Sequence, residues 1–143
     1  MHSDKSNFVA WIALTRTQTQ VLTNIESALS NADLPSLTWY DILLELEKSG
    51  NQGLRAFRLQ ENLLLPQYSI SRLLDRIEKS GYMERRPSDL DGRGHALFIT
   101  DLGKEIRQKM WQVYRPALHE IFDKKLSDDE VDTLVILLDK LRD

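Results

Sequence analysis

The chain contains no cysteine among its 143 residues. That excludes disulfides, thiolate metal sites and oxidant sensing through a thiol. No apolar run approaches the roughly 20 residues that a membrane-spanning helix needs. The opening Met1-His2-Ser3-Asp4-Lys5 lacks the basic-then-apolar layout of a secretion signal, so a cytoplasmic location is expected. The histidines, His2, His95 and His119, are far apart and show no H-x-x-x-H ligand spacing. A G-x-S-x-G elbow and a phosphate-cradling glycine loop are both missing. Asp128-Asp129-Glu130 reads as the start of a helix before it reads as a metal site. Neither an enzyme nor a metal or cofactor is expected.

An overall positive charge is lacking too: the formal net charge is −3. Its distribution is uneven. Residues 1–54 carry 3 basic and 6 acidic groups, residues 55–93 carry 8 and 6, and residues 94–143 carry 8 and 10, giving −3, +2 and −2. Only the middle third is positive, and a nucleic acid responds to local potential rather than to the total.

What is present reads mainly as helix. Residues 8–31 hold no Gly or Pro, and Phe8, Trp11, Ile12, Leu22, Ile25 and Leu29 recur at helical spacing. The centre of this helix, Thr15 to Gln20, is polar on every face, which suits a segment crossing an opening between subunits or lobes, or a solvated face. After Pro35, Thr38 is a candidate N-cap for a second helix with Trp39, Ile42, Leu43 and Leu46 on its apolar side. A third helix is expected over 54–62, with Leu54, Phe57, Leu59 and Leu63 inward. Pro66 opens a fourth over 66–79, closed by Ser80-Gly81. The period then changes. Residues 82–86 and 95–99 are short strand candidates around a turn-rich stretch, Pro87 to Gly94, and so predict a hairpin. Thr100-Asp101 caps a fifth helix to about 122, in which Pro116 is a candidate kink. Ser127 followed by Glu130 forms a capping box for a last helix, with Val131, Leu134, Val135, Leu138 and Leu141 on one face.

A hairpin directly after two short helices is the winged form of helix-turn-helix. The fold expected is mainly α, with residues 35–103 as the winged helix-turn-helix, and 1–34 and 104–143 as apolar terminal helices that pack across a dimer. On a helical wheel the fourth helix splits in two. Ile70, Leu73, Leu74 and Ile77 cluster on one side; Tyr68, Ser71, Arg72, Asp75, Arg76 and Lys79 lie opposite. A helix inserted into a DNA groove needs this division, one face anchored and one offering donors to base edges and phosphates. Gln67 lies at its start, the small Ser69 and Ser71 let the backbone approach a duplex, and Arg72 and Arg76 stand one turn apart. A charged, merely solvated face is the competing reading. The hairpin shifts the balance, because Arg85, Arg86 and Arg93 fall on or beside its turn, where an arginine can enter the minor groove. Asp89 and Asp91 make sense as carboxylates that orient an arginine.

The run Ser71-Arg72-Leu73-Leu74-Asp75-Arg76-Ile77-Glu78-Lys79-Ser80-Gly81-Tyr82, then Arg85-Arg86-Pro87, Asp91-Gly92-Arg93-Gly94 and Leu97-Phe98-Ile99-Thr100-Asp101-Leu102-Gly103 resembles the MarR (multiple antibiotic resistance regulator) family. The resemblance is continuous over roughly 54–103. It implies a homodimer held by the first, fifth and sixth helices, a repressor on a palindromic operator, and one recognition helix per half-site. Asp91 and Arg93 match the family's wing motif, which implies Arg93 as the minor-groove contact and Asp91 as its orienting partner, or that of another wing arginine. The DNA-binding set expected is Pro66, Gln67, Tyr68, Ser69, Ser71, Arg72, Arg76, Arg86, Asp91 and Arg93. Pro66 departs from many relatives, which have serine there, and it has no N–H to offer a phosphate. The resemblance further implies release of DNA by a small aromatic or phenolic ligand. Trp11, Thr15, Trp39, Tyr40 and Trp111 match the helices that line such a pocket, with Arg16 and Gln18 nearby, although each tryptophan also suits plain core. The rival from another class is a winged helix used as a protein-interaction module, which would expose aliphatic residues on the outer side of 66–79.

Overall fold

The computed structural model describes residues 1, 3–63, 67–87 and 94–142, without the side chains of Gln67 and Tyr68. Among them the order is α1 (Asp4–Asn31), α2 (Leu37–Ser49), α3 (Ala56–Leu63), α4 (Gln67–Lys79), β1 (Met83–Pro87), β2 (His95–Ile99), α5 (Asp101–Phe122) and α6 (Asp128–Arg142). A 3-10 turn, Gly50–Gln52, joins α2 to α3. The chain divides into two compact units, Met1–Ala32 with Gln112–Asp143 and Asp33–Trp111, so α5 contributes to both.

In the first unit, α1 starts earlier than the apolar pattern predicts. Ser3 accepts a hydrogen bond from the Ser6 N–H at 3.1 Å, and Asp4 sits in the first turn, where a carboxylate favours the positive end of the helix. The capping box of α6 forms as expected: Glu130 N–H donates to Ser127 Oγ at 3.2 Å, and Ser127 N–H donates to Glu130 Oε1 at 2.9 Å. Phe8, Val9, Trp11, Leu14 and Leu22 of α1 are exposed, as are Val135, Ile136, Leu137 and Leu141 of α6.

The second unit holds a core of Ile42, Leu43 and Leu46 from α2, Leu59 from α3, Ile70, Leu74 and Ile77 from α4, Met83 from β1 and Leu97 from β2. Each such side chain stabilises the fold by roughly 1.5–3 kcal/mol. The cap of α2 is Ser36, not Thr38: Leu37 and Thr38 are already helical, and Trp39 N–H reaches Ser36 O at 3.0 Å. Leu54 does not begin α3. It exchanges two backbone hydrogen bonds with Leu97, at 3.0 and 2.8 Å, as a bridge along the outer side of β2. With α3 starting at Ala56 and Leu59 turned into the core, Phe57 falls about 200° away around the helix. It is 52% exposed, under the Arg58 guanidinium, rather than inward as its spacing from Leu54 predicts.

β1 and β2 pair antiparallel with Met83 opposite Ile99, Glu84 opposite Phe98, Arg85 opposite Leu97 and Arg86 opposite Ala96. Two close approaches lock the hairpin to the helices around it. Gly53 has φ +69°, and a Cβ there would lie 2.5 Å from Phe98 Cζ. A Cβ on Gly103, in the first turn of α5, would lie 2.1 Å from the Tyr82 carbonyl oxygen. The Thr100 hydroxyl ties the same corner, donating to Gly81 O at 2.6 Å and accepting from Gly103 N–H at 3.0 Å.

Candidate nucleic-acid interface

α4 is anchored by Ile70, Leu74 and Ile77, which are at most 3% exposed. Its other side turns Ser71, Arg72, Asp75, Arg76 and Lys79 to solvent, as the wheel predicts. Ser69, Arg72, Leu73 and Arg76 line an open hollow of about 410 Å3 on this side. Among the described residues neither Arg72 nor Arg76 pairs with a carboxylate, which leaves two guanidinium groups one turn apart for an external partner. No exposed aliphatic side chain stands among the described side chains of α4. Gln67 and Tyr68 lie in the first turn of this helix. Pro66, Asp89, Asp91 and Arg93 fall outside the described residues.

The two hairpin arginines before the turn part company, because successive strand residues point to opposite faces. Arg86 lies on the face with Glu84 and Phe98. Its guanidinium sits over the Phe98 ring, 4.3 Å from the centroid, and its Nε donates to Glu84 Oε1 at 2.7 Å. The side chain is still 57% exposed. Arg85 does not share the exposed face of Arg86. It faces α4, where Nη2 donates to Asp75 Oδ1 at 2.9 Å and Nη1 donates to Glu78 Oε1. This bridge was not visible in the sequence, since its partners lie seven and ten residues away across a turn. The available hint is that adjacent arginines on a strand face opposite ways, so one of Arg85 and Arg86 turns toward the helices.

The residues expected to line a ligand pocket divide. In the second unit, Trp39 packs edge-on to Tyr82, with ring centroids 6.1 Å apart, and adjoins the core. Its neighbour Tyr40 is buried and stacks with Trp111 at 6.2 Å. The Arg107 guanidinium lies 5.9 Å from the Tyr40 ring, and its Nε is 2.8 Å from Glu47 Oε2. Trp11 and Thr15 belong to the first unit, where Trp11 is exposed and the Thr15 hydroxyl donates to the Trp11 carbonyl at 2.9 Å. Among the described residues no three His, Cys, Asp or Glu side chains are grouped to hold a metal ion, and no helix is long and apolar enough to cross a membrane.

Residues 32–94, a stretch that holds α2, α3, α4 and β1, match the family model described as MarR family. The multiple antibiotic resistance protein MarR of Escherichia coli K12 is 37% identical over 73 residues. That alignment covers 51% of this chain and 51% of the relative, about half the length of each. MarR of Salmonella typhimurium LT2 is 30% identical over 117 residues, covering 82% of this chain and 79% of that one. The crystal structure of a cysteine-to-serine mutant of E. coli MarR complexed with operator DNA shares the fold, with a TM-score of 0.82 at 24% identity over 98% of this chain and 99% of that chain. The divided α4, the hairpin behind it and an alignment running over most of a MarR protein agree: the chain belongs to the MarR family of transcriptional regulators.

Proposed function

We propose that the protein is a homodimer that binds double-stranded operator DNA and regulates transcription by occupying it. α4 enters the major groove, with Ser69, Ser71, Arg72 and Arg76 toward the duplex and Gln67 and Tyr68 at its leading end. The hairpin follows the neighbouring backbone through Arg86, and Arg93, oriented by Asp91, reaches the minor groove. Pro66, the residue before Gln67 in the sequence, offers no N–H to a phosphate. The observation that carries this reading is Arg72 and Arg76, without a carboxylate partner among the described residues, on a helix whose opposite face is sealed in the core. The E. coli relative crystallised with operator DNA supports it. Exposed Phe8, Trp11, Leu14, Val135, Leu137 and Leu141 on the terminal helices support a dimer, since apolar side chains of that size gathered on one unit call for a covering partner. Two reading helices related by a twofold axis select a palindrome with half-sites about one helical turn apart.

Repression, release by a small aromatic or phenolic ligand, and action in the cytoplasm complete the reading. Selection of bound sites from random duplexes tests the core of it. The expected product is a palindrome bound by a dimer, with affinity falling steeply as salt rises. Binding with no sequence preference would overturn it. For the ligand, tryptophan fluorescence that stays flat across a panel of aromatic acids would remove that part alone.

A further inference from the structure

Asp75 and Glu78 pose a difficulty for a helix that approaches phosphates. Asp75 is 70% exposed on the outward side of α4, three residues from Arg72, next to Arg76 and four from Lys79. Helix positions three and four apart are neighbours, so an unengaged Asp75 would pair with Arg72 or Lys79 and take that cation away from DNA, besides repelling phosphate itself. In the structure Asp75 pairs with neither cation: the Arg85 guanidinium holds it at 2.9 Å while donating from its other arm to Glu78. The planar fork of an arginine suits two acceptors at once, which a lysine ammonium does not match.

The bridge is not needed to place the strand. Met83, two residues earlier on the same face, is 2% exposed in the core. Leu97, directly opposite Arg85, is itself bonded on its far side to Leu54. Ion pairs as open as these, with Arg85 at 29% and Asp75 at 70% exposure, contribute little to folding. What remains is an electrostatic task.

Resting on the DNA-reading role argued above, we propose that Arg85 is a positioning residue for DNA recognition. It binds the carboxylates of Asp75 and Glu78, keeps Arg72, Arg76 and Lys79 unpaired for the duplex, and makes no DNA contact itself. Fluorescence anisotropy with the selected duplex tests this. Arg85→Ala is expected to weaken binding about tenfold at low salt, with the loss shrinking as salt screens the exposed carboxylates. Its thermal midpoint is expected to stay within about 2 °C of the parent. The triple variant Arg85→Ala, Asp75→Asn, Glu78→Gln is expected to return to within about twofold of parental affinity, because the charges that needed cancelling are gone. The pair Asp75→Asn, Glu78→Gln in the presence of Arg85 is expected to bind at least as well as the parent, which keeps the test open if Arg85→Ala alone folds poorly. A triple variant as weak as Arg85→Ala, or a double variant weaker than the parent, would overturn the role while leaving DNA binding intact. A parent protein that binds no duplex would overturn both.

Discussion

The Arg86 guanidinium lies over the Phe98 ring while Glu84 receives its Nε–H, so two side chains on one face of the hairpin fix a single cation in place. The tip of the same ring abuts Gly53, where no Cβ would fit. The ring is thereby held from the helical side and the arginine from the ring side. A long side chain fixed in this way loses less freedom on binding, which favours affinity. Arg86→Ala is expected to weaken DNA binding about tenfold, and Phe98→Leu about threefold, since a cation–π contact at an exposed site is worth about 0.5–1 kcal/mol. The double variant is expected to bind no worse than Arg86→Ala. Losses that simply add in an anisotropy titration would show that Phe98 does not act through Arg86.

The Thr100 hydroxyl makes a separable prediction. It caps α5 and reaches the Gly81 carbonyl just beyond the end of α4, and it is not among the residues assigned to DNA. Thr100→Val keeps the shape and removes both bonds. A loss of about 1–2 kcal/mol in denaturant unfolding is expected, with DNA affinity unchanged below saturation of the folded state. Thr100→Ser is expected to retain most of the stability. A Val variant as stable as the parent would mean that solvent replaces both partners at no cost.

These contrasts show what was legible in the sequence. The Thr100 cap, the Ser127–Glu130 box and the two faces of α4 were readable because each depends on residues three or four apart, within reach of helical periodicity. Phe57 was misplaced because Leu54, counted as the first residue of its stripe, is taken by β2, which removes the anchor that set the helix phase. The choice between Ser36 and Thr38 as cap turned on which residue first took helical angles after Pro35, and adjacent hydroxyl residues gave no local means to decide. The Arg85 bridge needed the hairpin folded back on α4, a tertiary fact that no short-range pattern carries. Asp91 and Arg93, which the sequence singled out most strongly, lie outside the described residues, so their roles rest on the motif.

The terminal helices supply the next test. Trp11 is 60% exposed on α1 and Leu137 52% exposed on α6. If this surface is covered by a second chain, a charge placed in it is buried unpaired and costs several kcal/mol across the interface. Leu137→Glu and Trp11→Glu are each expected to shift sedimentation from dimer to monomer, with helical content retained by circular dichroism. DNA affinity for the full palindrome is expected to fall by more than about a hundredfold, because the second half-site no longer adds to the first. Variants that sediment as the parent would place the dimer contact elsewhere.

Arg93 gives the most direct test of the hairpin's role. It follows Asp91 in the stretch that leads into β2, and Gly94, with φ +71°, turns the chain immediately after it. An arginine in a narrow minor groove gains from the strong negative potential there and carries little base information beyond groove width. Arg93→Ala is therefore expected to lower affinity by about 1–3 kcal/mol per dimer for every duplex tested, with little change in preferred sequence and the dimer intact. Arg72→Ala differs if Arg72 touches a base edge, because preference at one operator position then relaxes as affinity falls. The plot of log affinity against log salt separates the mechanisms further: each lost phosphate neutralisation flattens its slope by about 0.9. Arg93→Ala with parental affinity and slope would mean that the hairpin turn does not meet the duplex, and the DNA-binding surface would then shrink to α4 and Arg86.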